Sequence, residues 1–188
     1  MNTGMSDLTY PEAGATRDGR LPRGYHRLHH RMPVADTPEA FDRAREAVLT
    51  FAMHRGAGAR IRAVPVSGAW SSGRRGEPED IGPERAAPGV RLTVTLGPFT
   101  VPCQVVYVID EPDRAGFGYG TLPGHQESGE EAFHVERDAT GRVWLRVTAF
   151  SRPARWPTIL AGPLAVAMQH GFARLLGRSL RRICTVSR

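Results

Sequence analysis

The fold is decided by residues 90–150, which read VRLTVTLGPFTVPCQVVYVIDEPDRAGFGYGTLPGHQESGEEAFHVERDATGRVWLRVTAF. Five runs rich in β-branched and aromatic residues follow one another here, and turn residues such as those at Gly97-Pro98 and Asp138 to Gly141 separate them. The predicted strands are Val90–Leu96, Val101–Ile109, Gly116–Leu122, Glu130–Arg137 and Arg142–Phe150. Consecutive strands with such short connections pair antiparallel, so the stretch predicts one curved antiparallel sheet.

Helical periodicity is present on both sides of this meander. A first helix begins near Thr37, a favourable capping residue, and ends near Gly56. A second, longer helix is predicted to run from Trp156 or Thr158 to Ile183. Its apolar stripe consists of Leu164, Met168, Phe172, Leu175, Leu176 and Leu180.

Two more predicted strands, Tyr25–Val34 and Arg60–Val66, complete the element order. The order of strand, helix, strand, loop, meander and helix predicts an α+β protein of the helix-grip type, in which a curved antiparallel sheet wraps around a long C-terminal helix. The concave face of such a sheet is a natural place for a ligand cavity. The Gly- and Pro-rich loop from Trp70 to Gly89 is interpreted either as a disordered insertion or as a lid.

Length and composition predict one domain with short tails. A chain of 188 residues with 40% hydrophobic content can fill a single core, so we place the domain at residues 8–183 and tails at residues 1–7 and 184–188. No signal peptide is visible, and the apolar run from Ile159 to Met168 is too short to span a membrane. Cys103 and Cys184 lie far apart and are expected to be reduced thiols. We therefore expect a cytoplasmic protein.

The basic residues exclude some chemistry and leave one binding hypothesis open. All 25 are arginine, so the chain has no lysine for a Schiff base or a phosphate loop. The absence of lysine beside abundant Ala, Gly, Pro and Arg is typical of GC-rich coding. The net charge of +6 is therefore weak evidence for nucleic acid, which is not the predicted partner. A stripe on the second helix leaves binding to an anionic surface or nucleic acid as an alternative. The stripe consists of Arg174, Arg178, Arg181 and Arg182.

Candidate functional residues concentrate in GYGTLPGHQESGEEAF, from Gly118 to Phe133. Strand alternation places Glu131 on the same face as Phe133, so a carboxylate is expected on the concave side if Phe133 is there. It is interpreted as an acid, base or hydrogen-bond anchor, or as an arginine-paired group at the strand end. Tyr119 is a second candidate, as a ligand contact or as a core residue whose hydroxyl reaches the rim.

Two further candidates carry similar alternatives. Tyr107 shares a predicted strand face with Val105 and Ile109, and it is either a ligand contact or a core residue. His125 lies in a Pro-Gly turn, where it is a candidate general base or an exposed loop residue.

Other patterns in the sequence are too weak to predict a site. His26, His29 and His30 lack neighbouring ligands at metal-site spacing, and adjacent histidines on a strand point to opposite faces. Ser128 is not in a nucleophile elbow, and the run GFGYG lies inside the meander without opening a helix. No metal or other cofactor is predicted.

Four segments resemble the DUF1990 family, which is also called UPF0548. They are LTYPEAGAT from Leu8, MHRGAG from Met53, VVYVIDEPDRAGFGYGTLPGHQESGEEAF from Val105 and VTAFSRP from Val147. The resemblance spans nearly the whole domain and implies a START-like, Bet v 1-like fold, in agreement with the helix-grip interpretation. It implies no activity, because the family has none established.

We therefore expect a small apolar or amphipathic ligand in a cavity between the sheet and the C-terminal helix. Tyr107, Tyr119, His125 and Glu131 are its predicted polar contacts. The alternative is a cyclase- or hydrolase-like enzyme that uses Glu131 or His125 as acid or base. The sequence leaves the ligand and the oligomeric state open.

Overall fold

The computed structural model describes residues 7–64, 85–154 and 162–185. Its strands are β1 (His26–Ala35), β2 (Arg60–Val64), β3 (Arg91–Leu96), β4 (Phe99–Asp110), β5 (Arg114–Thr121), β6 (Glu127–Arg137) and β7 (Val143–Pro153). Its helices are α1 (Ala40–Leu49), α2 (Ala52–Gly56) and α3 (Gly162–Thr185). The described elements follow the predicted order.

The strands form one antiparallel sheet in the order β1-β7-β6-β5-β4-β3-β2. The predicted meander is its centre, and β1 pairs with β7 to close one side. The α3 helix crosses close to β1, since a Cβ atom at Gly177 would overlap the sulfur of Met32. The predicted helix-grip fold is confirmed. Among the described residues, no helix is long and apolar enough to cross a membrane.

The core lies between the concave face of the sheet and the three helices. Phe117 and Phe133 from the sheet have no exposed surface, and their rings pack 5.6 Å apart. Phe51 adds an edge-to-face contact with Phe117 at 5.2 Å, and α3 contributes the fully buried Leu176 and Leu180. Both cysteines are buried free thiols. This apolar packing fixes α3 against the sheet.

The predicted first helix is in fact two helices. Phe51 adopts a left-handed conformation with φ of 60° between α1 and α2, which redirects the chain and buries its ring completely. A non-glycine residue in this region costs energy, and here packing compensates. The strand β6 also begins at Glu127, three residues before the predicted start.

Several predictions fall on parts of the chain that lie outside the described residues. These include most of the loop from Trp70 to Gly89 and the start of the predicted second helix, residues 156–161. The side chains of Leu164 and Met168 also lie outside the description.

Candidate functional site

The alternating glycines of β5 give the sheet two different faces. Gly116, Gly118 and Gly120 point away from the helices, while Phe117 and Tyr119 point into the core. Rings from elsewhere in the chain fill the space that the glycines leave. A Cβ at Gly118 would overlap the Tyr107 ring, and one at Gly120 would overlap Tyr10. We call the helix-covered side concave and the other side convex.

A hydrogen-bonded pair of polar side chains lies on the concave face. Tyr119 and Glu131 are directly opposite each other on β5 and β6, and the Tyr119 hydroxyl donates to Oε2 of Glu131 at 2.8 Å. Tyr119 is 9% exposed and its ring packs 5.4 Å from that of Phe133. Glu131 lies deep in the molecule but keeps part of its surface accessible. Solvent therefore reaches part of the Glu131 side chain.

The environment of Glu131 disfavours its charged form. Burial raises its pKa from 4.5 to about 7, and the nearby charge of Glu127 adds to the increase, while the hydrogen bond from Tyr119 opposes it. Burial and the negative charge of Glu131 hold the pKa of Tyr119 well above 10. At neutral pH, Glu131 is thus divided between its protonated and ionised forms. It can both donate and accept a hydrogen bond.

A second carboxylate joins this site from the start of β6. Glu127 accepts a hydrogen bond from the Gln169 amide of α3 at 2.9 Å, and the same amide lies 3.4 Å from the Ser151 hydroxyl of β7. Burial raises the pKa of Glu127, and the hydrogen bonds from Ser151 and Gln169 oppose the increase. The concave polar site is therefore made of Tyr119, Glu127, Glu131 and Gln169, and it joins the sheet to α3.

His125 lies at the edge of this site, in the turn between β5 and β6. Its Nδ1 accepts the backbone N–H of Glu127 at 2.9 Å, so the ring proton is on Nε2. Burial lowers its pKa to about 4. The ring is therefore neutral at pH 7 and a weak base, with no described contact to Glu131. It orients the turn and presents an N–H donor.

Tyr107 is on the convex face, contrary to the expectation from alternation. The register between β4 and β5 shifts between Val105 and Tyr107, where a β-bulge inserts Val106 as an extra residue. Val105 remains opposite Tyr119, whereas Tyr107 lies opposite Gly118 and turns outward. Tyr107 is consequently separated from the other predicted ligand contacts by the sheet itself.

The convex face contains a buried network that the sequence analysis did not predict. Four donors converge on Glu130, which is 2% exposed. The Tyr10 hydroxyl donates to Oε2 at 2.6 Å and the backbone N–H of Gly14 at 2.7 Å. The backbone N–H and hydroxyl of Thr16 donate to Oε1 at 3.0 and 2.5 Å. Glu130 thus fastens residues 10–16 across the outside of the sheet, and we call this arrangement the Glu130 clasp.

A chain of hydrogen bonds links His134 to the clasp, and the donor and acceptor at each step can be assigned. Arg114 is a donor only, so its 3.4 Å contact makes Nδ1 of His134 the acceptor and places the proton on Nε2. Nε2 then donates to the Tyr107 hydroxyl at 3.3 Å, and Tyr107 donates to Thr16 at 2.9 Å. Burial lowers the pKa of His134 to about 3, and nearby arginines contribute. The neutral ring is a fixed part of the clasp.

Glu130 and Glu131 differ in how much hydrogen-bond acceptor capacity remains for a ligand. A carboxylate accepts about four hydrogen bonds, and protein donors supply four to Glu130. Among the described residues, Tyr119 is the one hydrogen-bond donor to Glu131. Glu131 has unused capacity and borders accessible space, so the concave polar site is the candidate functional site. Glu130 stabilises the fold.

One feature of the sequence could have indicated that residues 10–16 contact Glu130. The segment LTYPEAGAT is one of the four that carry the family resemblance, as is the central motif that contains Glu130. Its small residues and Tyr10 meet Glu130 across a sequence separation that is 120 residues for the tyrosine. A shared motif at both ends of such a distance favours contact between them.

Comparison with known proteins agrees with this fold. The model of a domain of unknown function, DUF1990, matches residues 9–179. A UPF0548 protein of Deinococcus radiodurans is 36% identical over 183 residues, which cover 93% of this chain and 86% of the relative.

Solved structures share the architecture at low sequence identity. A hypothetical protein of Helicobacter pylori, jhp0584, has a TM-score of 0.59 at 12% identity and covers 97% of this chain and 98% of its own. Truncated norcoclaurine synthase of Thalictrum flavum has a TM-score of 0.51 at 11% identity, with 89% of this chain and 98% of its own covered. At these identities the likeness shows the fold alone, a curved antiparallel sheet wrapped around a long C-terminal helix.

Proposed function

The chain belongs to the DUF1990 family, and we propose that it binds a small amphipathic molecule between the concave face of the sheet and α3. The observation that supports this most directly is the Tyr119–Glu131 pair on the concave face, where Tyr119 is the one donor to the Glu131 carboxylate among the described residues. A polar group in such a place is costly unless something pairs with it. A ligand hydroxyl, amine or carbonyl is the partner that its remaining capacity suits.

The polar end of the ligand would lie near the first half of α3. Glu131 in its protonated form donates to a carbonyl, and in its ionised form it accepts from a hydroxyl or amine. The Gln169 amide and Glu127 form a second polar contact four residues, or two strand repeats, away along β6. Two polar anchors on one strand favour a ligand head with two hydrogen-bonding groups.

The apolar part of the ligand would lie against the aromatic surface beside this site. Tyr119 and Phe133 form a ring cluster on the sheet, and Phe172 of α3 is half-buried at its border. Towards α1 and α2 the interior is closed by packed side chains such as Phe51 and Leu180. We therefore place the ligand at the other end of the concave face, beside Glu131 and Gln169.

Displacement of a fluorescent anilinonaphthalene sulfonate probe tests the proposal. We expect the wild-type protein to bind the probe and release it to extracted amphiphiles, and we expect Glu131→Gln to alter the affinities of amphiphiles with polar heads. Glu136→Gln is the matched control, because Glu136 is on the same strand but pairs with Arg114 and Arg146 on the convex side. Equal effects of the two substitutions, or no bound molecule in native mass spectra of freshly purified protein, would refute the proposal.

An enzyme remains a second candidate because the pKa of Glu131 is about 7. A carboxyl group that titrates near neutral pH is suited to general acid or base catalysis. The same fold is found in norcoclaurine synthase, but only at 11% identity. If the captured ligand is converted during incubation, the rate should follow one ionisation near pH 7 and be lost in Glu131→Gln. A rate unchanged in that variant would remove Glu131 from the mechanism.

A further inference from the structure

The outward side of α3 is a basic surface. Arg174, Arg178, Arg181 and Arg182 are all exposed, and with 3.6 residues per turn they fall within an arc of about 100°. The helix contains no acidic residue between Gly162 and Thr185. The adjacent strand β1 also contains none. The positive charge is therefore concentrated and locally uncompensated.

The arginines of α3 have different partners from the ion-paired arginines of the sheet. Arg137, for example, pairs with Asp113 at 2.7 Å. Arg181 instead donates to the backbone carbonyl of Pro33 at 2.7 Å. Within residues 7–64, 85–154 and 162–185, no carboxylate pairs with Arg174 or Arg178. Their guanidinium groups are open to an external anion.

The basic surface continues from α3 onto β1. His30 of β1 lies close enough to α3 to interact with it: burial lowers the pKa of His30, and electrostatic interactions with His170 and Arg174 add to the decrease. The buried Nε2 of His30 has no hydrogen-bond partner among the described residues. The strand beside the helix therefore contributes basic side chains and no carboxylate to this side of the molecule.

An apolar side chain adjoins the arginines. Leu175 is 41% exposed, one of three large hydrophobic residues exposed to that degree among the described residues. It lies at the edge of the arginine arc, next to Arg178 and Arg182 on the helix surface. Arginine binds phosphate groups in bidentate geometry, while an exposed leucine gains nothing from a polyanion in water. An arginine surface with an exposed leucine beside it suits the boundary between anionic headgroups and acyl chains.

We propose that α3 docks the protein on the surface of a bilayer that contains anionic phospholipids. Arg174, Arg178, Arg181 and Arg182 contact the phosphate groups, and Leu175 enters the boundary of the acyl chains. The opposite side of the same helix faces the sheet, where Gln169 contacts Glu127. Docking would bring the concave polar site near the membrane, but the surface and its test do not depend on a ligand.

Co-sedimentation with vesicles tests this surface. We expect binding to phosphatidylcholine vesicles that contain phosphatidylserine, little binding to phosphatidylcholine alone, and weaker binding as salt is added. Each arginine near the membrane contributes about a fivefold factor, so Arg174→Gln with Arg178→Gln should weaken binding about 25-fold. The matched control is Arg60→Gln with Arg62→Gln, which removes two exposed arginines from β2 at the opposite edge of the sheet.

Three outcomes would overturn the proposal. The first is equal weakening by the two double variants, since that would mean that net charge alone drives the binding. The second is a Leu175→Ala variant that binds the vesicles as tightly as the wild-type protein. The third is single-stranded RNA or duplex DNA binding with the same arginine dependence while vesicles are not bound, which would make the partner a nucleic acid.

Discussion

The Glu130 clasp allows a stability prediction for Glu130→Gln. The amide has one acceptor oxygen and one NH2 donor, whereas the glutamate presents two acceptor oxygens. Each carboxylate oxygen receives one backbone N–H, from Gly14 on one side and Thr16 on the other. Whichever way the amide is turned, one of these N–H groups faces another donor. The hydroxyls of Tyr10 and Thr16 can rotate, but a backbone N–H cannot.

The expected cost follows from this unavoidable mismatch. A buried donor without a partner costs about 1–3 kcal/mol, and the remaining hydrogen bonds lose the assistance of the charge. We therefore expect a loss of about 2–4 kcal/mol of unfolding free energy. With a urea m-value of about 2 kcal/mol/M, the midpoint should fall by about 1–2 M.

Urea unfolding followed by tryptophan fluorescence measures this loss, and Glu46→Gln is the matched control. Glu46 forms an exposed ion pair with Arg85, so the same substitution there should cost less than about 1 kcal/mol. Limited proteolysis should also cleave within residues 10–16 faster in Glu130→Gln. If the two variants unfold at the same urea concentration, the clasp does not hold the segment and the assignment of Glu130 to the fold is wrong.

Three further predictions concern the two faces of the sheet. The raised pKa of Glu131 means that the folded state binds more protons than the unfolded state between pH 4.5 and about 7. The unfolding free energy of the wild-type protein, measured relative to that of Glu131→Gln, should therefore be greatest below pH 4.5. It should fall by up to about 3 kcal/mol as the pH rises to 7. A difference that does not change with pH would contradict the raised pKa. Tyr119→Phe removes the hydrogen bond that lowers this pKa, so carboxyl titration by NMR should show Glu131 titrating above 7 and not below it. In thermal unfolding, Gly118→Ala should cost about 2–4 kcal/mol, because the added Cβ overlaps the Tyr107 ring. Gly171→Ala has open space around its Cβ and should stabilise α3 by about 0.5–1 kcal/mol. Similar effects of the two substitutions would show that the ring does not lie against Gly118.

Alternation along a strand predicts the side of a residue only where the register is regular. It placed Glu131 correctly beside Phe133, because β6 pairs with β5 and β7 without interruption over that stretch. It misplaced Tyr107, because the bulge at Val106 shifts the alternation by one residue. No sequence pattern in this run marks the bulge. Its structural reason is the glycine opposite, since Gly118 leaves room for an outward tyrosine ring.

The break between α1 and α2 was unpredictable for a similar reason. The apolar spacing from Phe41 to Phe51 suits one continuous helix, and local propensity contains nothing that opposes it. The left-handed conformation of Phe51 is stable only because its ring is fully buried against Phe117, a residue from the distant sheet. Tertiary packing decided the local conformation here.

The neighbouring residues Glu130 and Glu131 of β6 point to opposite faces of the sheet and differ in their hydrogen bonding. Glu130 is surrounded by protein donors on the convex face, and this fixes the position of the β6 backbone relative to residues 10–16. Glu131 is the next residue and points to the concave face, where the described part of the chain provides it with one donor, Tyr119. Its backbone position is therefore fixed by the clasp while its own acceptor atoms stay largely unused. A binding carboxylate is most selective when its support does not use its own acceptor atoms. The clasp would supply such support, from the other side of the sheet, for the ligand contact that we propose for Glu131.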